Sequence, residues 1–88
     1  MSGRIGGTIE QMTTMGQTFN GKAEELDSLV LAISSALAGT DWEGGAAVRF
    51  RSQWDGEFRQ TFGRVSEGLR ECATEVTNRA NALTQAGA

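Results

Sequence analysis

Gly39-Thr40-Asp41-Trp42-Glu43-Gly44-Gly45 stands close to the midpoint of an 88-residue chain that contains no proline. Long stretches of helical apolar periodicity lie on either side of it. The chain therefore folds back once, at a turn marked by a large aromatic and by glycine.

Upstream of the turn, Met12, Met15, Phe19, Ala23, Leu26, Val30, Ile33 and Leu37 recur in steps of three and four. That is the a/d spacing of helices packed along a shared seam. Thr8 and Gln11 fit a capping box at the start of this segment. Gly39 fits a left-handed C-cap at its end. The spacing predicts a helix over 8–39.

Downstream, Thr40 and Glu43 read as a second capping box, and Asp41 and Glu43 suit the positive end of a helix dipole. Gly44 and Gly45 weaken that first turn, so the turn occupies 40–45 and regular helix is expected over 46–85. Its stripe runs Ala47, Phe50, Trp54, Phe58, Phe62, Val65, Leu69, Cys72, Val76, Ala80 and Leu83. At ~1.5 Å per residue the two helices reach about 48 and about 60 Å, well beyond globular norms. The short link forces them antiparallel. The expected fold is all-α: one helical hairpin domain over 1–88.

A lone hairpin buries one stripe from each helix, and this chain offers more. Leu29 and Leu31 fall off the main stripe of the first helix. The run Phe50, Trp54, Phe58, Phe62 advances by four, so on an α-helix it drifts by roughly 40° per step. Part of that ridge is expected to face away from the first helix. Gly16, Gly21, Gly56, Gly63 and Gly68 lie inside the helices and together cost roughly 3–5 kcal/mol of helix stability. Both features call for a second hairpin that completes a four-helix bundle. Phe19, Leu29, Leu31, Phe50, Trp54, Phe58 and Phe62 are the residues expected at that interface.

Several chemistries are excluded by composition. Histidine and tyrosine are absent, so no Ser-His or Cys-His nucleophile pair can form within the chain. One cysteine without histidine makes a zinc site untenable. Cys72 falls on the apolar stripe and reads as a small buried hydrophobe. Glu67, Glu71 and Glu75 form a row on one helix face, flanked by Arg64 and Arg79, and read as a solvated or interfacial face. No glycine-rich run has the lysine or preceding strand of a phosphate loop. Net charge is -3, and Lys22 is the only lysine, so no basic footprint for nucleic acid exists. No run of ~18 apolar residues could span a membrane. The first seven residues lack the ~7–15 apolar residues of a secretory signal. No catalytic, metal or cofactor site is expected, and the chain is read as a non-enzyme.

With two long helices and Trp42-x-Gly44 in the turn, the chain resembles the WXG family of small bacterial proteins exported by type VII (ESX-type) secretion, the early secreted antigenic target type. Ala46-Ala47-x-x-Phe50 also resembles that family's start to the second helix. The resemblance covers the whole chain. It implies secretion without a cleaved signal, as an antiparallel four-helix homodimer or heterodimer. It also implies a two-part export signal, in which the W-x-G turn of one subunit lies near a Tyr-x-x-x-Asp/Glu motif of the other. This chain departs from the pattern in having no tyrosine, which favours the W-x-G-donating subunit of a heterodimer. Trp42 then becomes the docking residue, with a large apolar face and one N–H donor. A competing reading is a helical adaptor or chaperone that delivers a larger effector or toxin. Membrane insertion through the Leu26–Ile33 cluster is disfavoured, because that face lacks a basic flank.

Overall fold

The computed structural model describes residues 2–87, with side chains from residue 8 onward. The first arm is α1, Ser2–Gly39. The second arm is continuous: α2, Gly45–Gln53, then a π-helical turn at Trp54–Phe58, then α3, Arg59–Gly87. The arms are joined by a non-helical link over 40–44, and the described residues contain no strand. This is the helical hairpin the periodicity predicts. α1 begins before Thr8, so that residue lies within the helix rather than capping it. Ala88 and Met1 lie outside the described residues.

The molecule is a rod of 65 × 17 × 13 Å. Its radius of gyration is 19.5 Å, against about 12 Å for a compact chain of this length. The short axis is close to the width of one helix, so the arms lie side by side as a single layer with no interior beyond the seam between them.

That seam is built from small residues. Gly16 and Ala23 on α1, and Ser66, Ala73 and Ala80 on α3, are all buried. Each set repeats every seven residues, which keeps one side of a long helix facing its partner. The backbones approach closely there: a Cβ on Gly16 would sit 3.0 Å from Thr77 Oγ1 and 3.5 Å from the Ala73 carbonyl oxygen. Met15, expected in the stripe, is exposed, and Gly16 takes the seam position instead. Cys72 is exposed rather than buried, because Ala73 occupies the seam beside it.

Towards the turn the seam admits one large side chain. Trp54 is 5% exposed. Its Nε1 donates to Ser34 Oγ at 2.9 Å, and its ring meets that of Phe62 at 6.0 Å, tilted by 51°.

The π turn corrects the drift expected of the four-step aromatic run. Trp54 and Ser66 are twelve residues apart, which on an α-helix rotates one about 120° past the other. The backbone N–H of Arg59 reaches the Trp54 carbonyl, five residues back. A residue is thereby looped into the helix, which takes up about 100° of rotation. Trp54 and Ser66 both end on the inner face, and Trp54 is a core residue of the hairpin rather than part of an outward ridge.

Midway along the arms a polar clasp crosses the seam. Ser66 Oγ donates to Asp27 Oδ1 at 2.7 Å, with the Ala23 carbonyl oxygen at 3.3 Å as a weaker acceptor. Arg70 donates to Ser66 Oγ and to Asp27 Oδ2, both at 2.6 Å. The Ser66 hydroxyl and then the Arg70 guanidinium hold the Asp27 carboxyl below its ordinary pKa.

Candidate functional site

The link is organised by a residue that the sequence pattern does not single out. Arg51, on α2, donates from Nη1 to the Trp42 carbonyl at 2.7 Å and from Nη2 to those of Thr40 and Leu37 at 3.0 and 3.1 Å. These oxygens belong to the open C-terminal end of α1 and the link, where no further helical turn can satisfy them. The Thr40 hydroxyl donates back to the Ala36 carbonyl. It closes α1 instead of opening the next helix, so the Thr40–Glu43 capping box does not form. Gly39 is not left-handed either. Among the described residues the one positive φ belongs to Gly44, at 105°.

Gly44 is the N-cap of α2 and has no side-chain cap. Its φ is one that residues with a Cβ rarely adopt. The chain can therefore leave the link and enter α2 in one step, and Val48 N donates to the Gly44 carbonyl at 3.1 Å. This is the physical reason for the glycine of the W-x-G triplet.

Trp42 is held from two sides. The Phe50 ring lies 5.9 Å away, tilted by 54°, and the Arg51 guanidinium carbon sits 5.9 Å from the indole centroid. The indole remains 40% exposed. The two tryptophans therefore play different parts: Trp54 fills the hairpin, and Trp42 is displayed at its tip.

The two long faces of the rod differ in character. On one, Met15 and Phe19 of α1 and Gly68, Cys72 and Val76 of α3 line a groove of about 590 Å³, with Glu71 and Glu75 at its rim. Glu75 pairs with Arg79 at 3.1 Å. Phe58, at the end of the π turn, and Val65 and Cys72 of α3 follow one another at seven-residue steps on the second arm's side of this face, and all are exposed. Leu29 lies fourteen residues after Met15 and continues α1's side. The opposite face is more polar, with Asn20, Thr74, Thr77 and Asn78 around one hollow, although Val30 and Leu31 line another.

The residues expected at a partner interface are therefore distributed unevenly. Phe19, Phe62, Leu29 and Phe58 lie on or beside the apolar face, the first two half-buried and the others exposed. Phe50 stands at the tip beside Trp42. Leu31 is two residues, or about 200°, round from Leu29, and lines a hollow on the other face with Asp27 and Arg59. Trp54 is spent within the hairpin.

A family model described as "Proteins of 100 residues with WXG" matches residues 4–88. The chain belongs to the WXG100 family. Membership makes it a small secreted substrate of type VII secretion, in a family of helical substrates that are not known enzymes. No curated protein and no solved structure matches this WXG100 chain. Among its described residues no helix is long and apolar enough to cross a membrane.

Proposed function

We propose that this WXG100 protein is exported as one half of a four-helix dimer of the early secreted antigenic target type, and that its Trp42 turn docks on the type VII machinery. The observation that carries the reading is the one-sided apolar face. The chain exposes 6379 Å², where a compact monomer of 9.4 kDa exposes about 5,000 Å². The excess of about 1,400 Å² exceeds the ~800 Å² that each partner contributes to a standard interface. Phe19, Leu29, Phe58 and Phe62 supply its apolar centre, with Phe50 at the tip.

The partner is a second W-x-G hairpin, and a heterodimer fits best. The 88 residues contain no tyrosine, so a Tyr-x-x-x-Asp/Glu element would come from the other subunit. The test is light-scattering mass of the chain alone and mixed with the hairpin encoded beside it, paired with thiol labelling of Cys72. A one-to-one complex that protects Cys72 supports the reading. A stable folded monomer in both samples overturns it. Secretion is tested with and without that partner, and efficient secretion of the chain by itself would refute the heterodimer assignment.

A further inference from the structure

We propose that Arg51 is the positioning residue of the Trp42 turn, holding the indole and the carbonyls around it in the pose that the export machinery meets. This rests on the docking reading of Trp42 given above.

One guanidinium reaches three parts of the tip at once. It binds the carbonyl of Leu37 in α1, those of Thr40 and Trp42 in the link, and it flanks the Trp42 ring. The link itself has little else to fix it. Its backbone bonds outside the helices are Trp42 N to the Thr40 carbonyl at 3.0 Å and the Val48 N bond to Gly44. Arg51 takes part in none of the ion pairs among the described residues, which join Lys22–Glu25, Arg59–Asp55, Arg70–Asp27 and Arg79–Glu75. Its charge is directed at neutral carbonyl oxygens and an aromatic face, and bonds with a charged donor are the strong ones.

The geometry suits arginine alone. A planar fork can address separate carbonyls with its two terminal nitrogens while its flat face lies against an indole. A lysine ammonium is a compact point charge that cannot do both. An exposed tryptophan held in advance loses less freedom on docking than one that samples several rotamers. Arg51 thus contributes to recognition through Trp42 without needing to touch the partner.

The test compares the native protein with Arg51→Gln, Arg51→Lys and Trp42→Ala, each co-expressed with the partner hairpin. Fluorine NMR of this chain, labelled with fluorotryptophan and joined to unlabelled partner, resolves both of its indoles without removing Trp54. The Trp42 resonance is expected to shift and sharpen in Arg51→Gln and Arg51→Lys while the Trp54 resonance stays in place. Helix content and complex mass are expected to hold, and the secreted fraction to fall to that of Trp42→Ala. If Trp42→Ala loses secretion and Arg51→Gln keeps it, the Arg51 role is overturned and the docking reading stands. If Trp42→Ala is secreted normally, the docking reading itself fails. Native-level secretion of Arg51→Lys would overturn the positioning role, because a point charge would then suffice. Loss of the complex in Arg51→Gln would make Arg51 a residue of the fold and not of the signal.

Discussion

Deleting Gly56 tests whether the π turn is a register device. In the native chain Trp54 and Ser66 face the same seam although twelve residues separate them. Removing one residue inside the turn leaves eleven steps of ordinary α-helix. Eleven steps rotate through about 1,100°, within about 20° of three full turns. Every seam residue after the turn therefore keeps its place. Nothing lies within 4 Å of a Cβ at Gly56, so no packing is lost, and removing a helix-interior glycine relieves about 0.5–1 kcal/mol. The Gly56 deletion is expected to be neutral to slightly stabilising. Deleting Gly68 instead, also open on its outer side, has no π turn to absorb it. It rotates everything beyond by about 100°, bringing Thr74 and Asn81 into the seam positions of Ala73 and Ala80. Forcing larger residues into two tight sites costs about 1–3 kcal/mol each, or about 2–6 kcal/mol together. At about 4–8 °C per kcal/mol for a domain of this size, the Gly68 deletion should melt at least about 8 °C lower. The measurement is thermal denaturation by circular dichroism at one fixed protein concentration, since association raises apparent stability. If the two deletions melt alike, the register argument is wrong.

The two tryptophans should separate cleanly under urea. Trp54→Ala removes the one large side chain that is buried among the described residues and is expected to cost about 3–5 kcal/mol, while Trp42→Ala, at the exposed tip, should stay within about 1 kcal/mol of the native protein; equal losses would show that the two roles are not distinct. Gly44→Ala forces a Cβ into a backbone region, φ 105° and ψ 175°, that is essentially glycine's alone, and should destabilise by about 1–3 kcal/mol, with the mass of the complex unchanged; an unaltered melting point would mean that the turn does not need that φ. For Asp27 the folded carboxyl has the lower pKa. Its contribution is therefore present above the unfolded value of about 4 and disappears as pH falls through the folded value. Asp27→Asn should be less stable than the native chain at neutral pH, and the gap should close below about pH 4; a gap that does not change with pH would rule out this linkage.

The hairpin was legible because its signals are repetitive. Apolar residues at three- and four-residue steps define both arms, and the glycine-flanked Trp42 marks the bend. What stayed hidden depended on contacts between the arms. A hydropathy reading follows large apolar residues, so it placed Met15 in the stripe and passed over Gly16, Ser66 and Ala73, whose small size is what lets the arms close. The four-step run of Phe50, Trp54, Phe58 and Phe62 did contain the π turn, since a ridge that would drift on an α-helix is also the pattern of a helix with one residue looped in. The two capping boxes failed for a common reason: short side-chain patterns are weak where the backbone already has partners. Thr8 lies inside a helix, and Thr40 bonds back to Ala36 while Arg51 satisfies the neighbouring carbonyls. Arg51 itself had no local signal, because its partners lie 9 to 14 residues away in sequence.

A seam of small residues raises a question of register that the clasp answers. Gly16 and Ala23 repeat at seven residues, as do Ser66, Ala73 and Ala80. Sliding one arm past the other by seven residues sets small residues against small residues again, and sterics alone discriminate poorly between the two alignments. Trp54 and the short link oppose such a slide at the tip, but they act far from the middle of a 65 Å rod. The clasp sits there and has one solution. Asp27, on α1, meets both Ser66 and Arg70 on α3 only in the native alignment, and a slide would leave the Ser66 hydroxyl in the seam without its carboxylate. Side chains of Arg70 and Asp27 remain 43% and 47% exposed, so the pair adds little net stability. Its effect falls on the alternatives, as with a single polar residue that fixes register in a coiled coil. Large apolar side chains could have fixed the register by shape. In this protein many of them are exposed, and a polar lock holds the two arms while leaving the apolar face free for a partner.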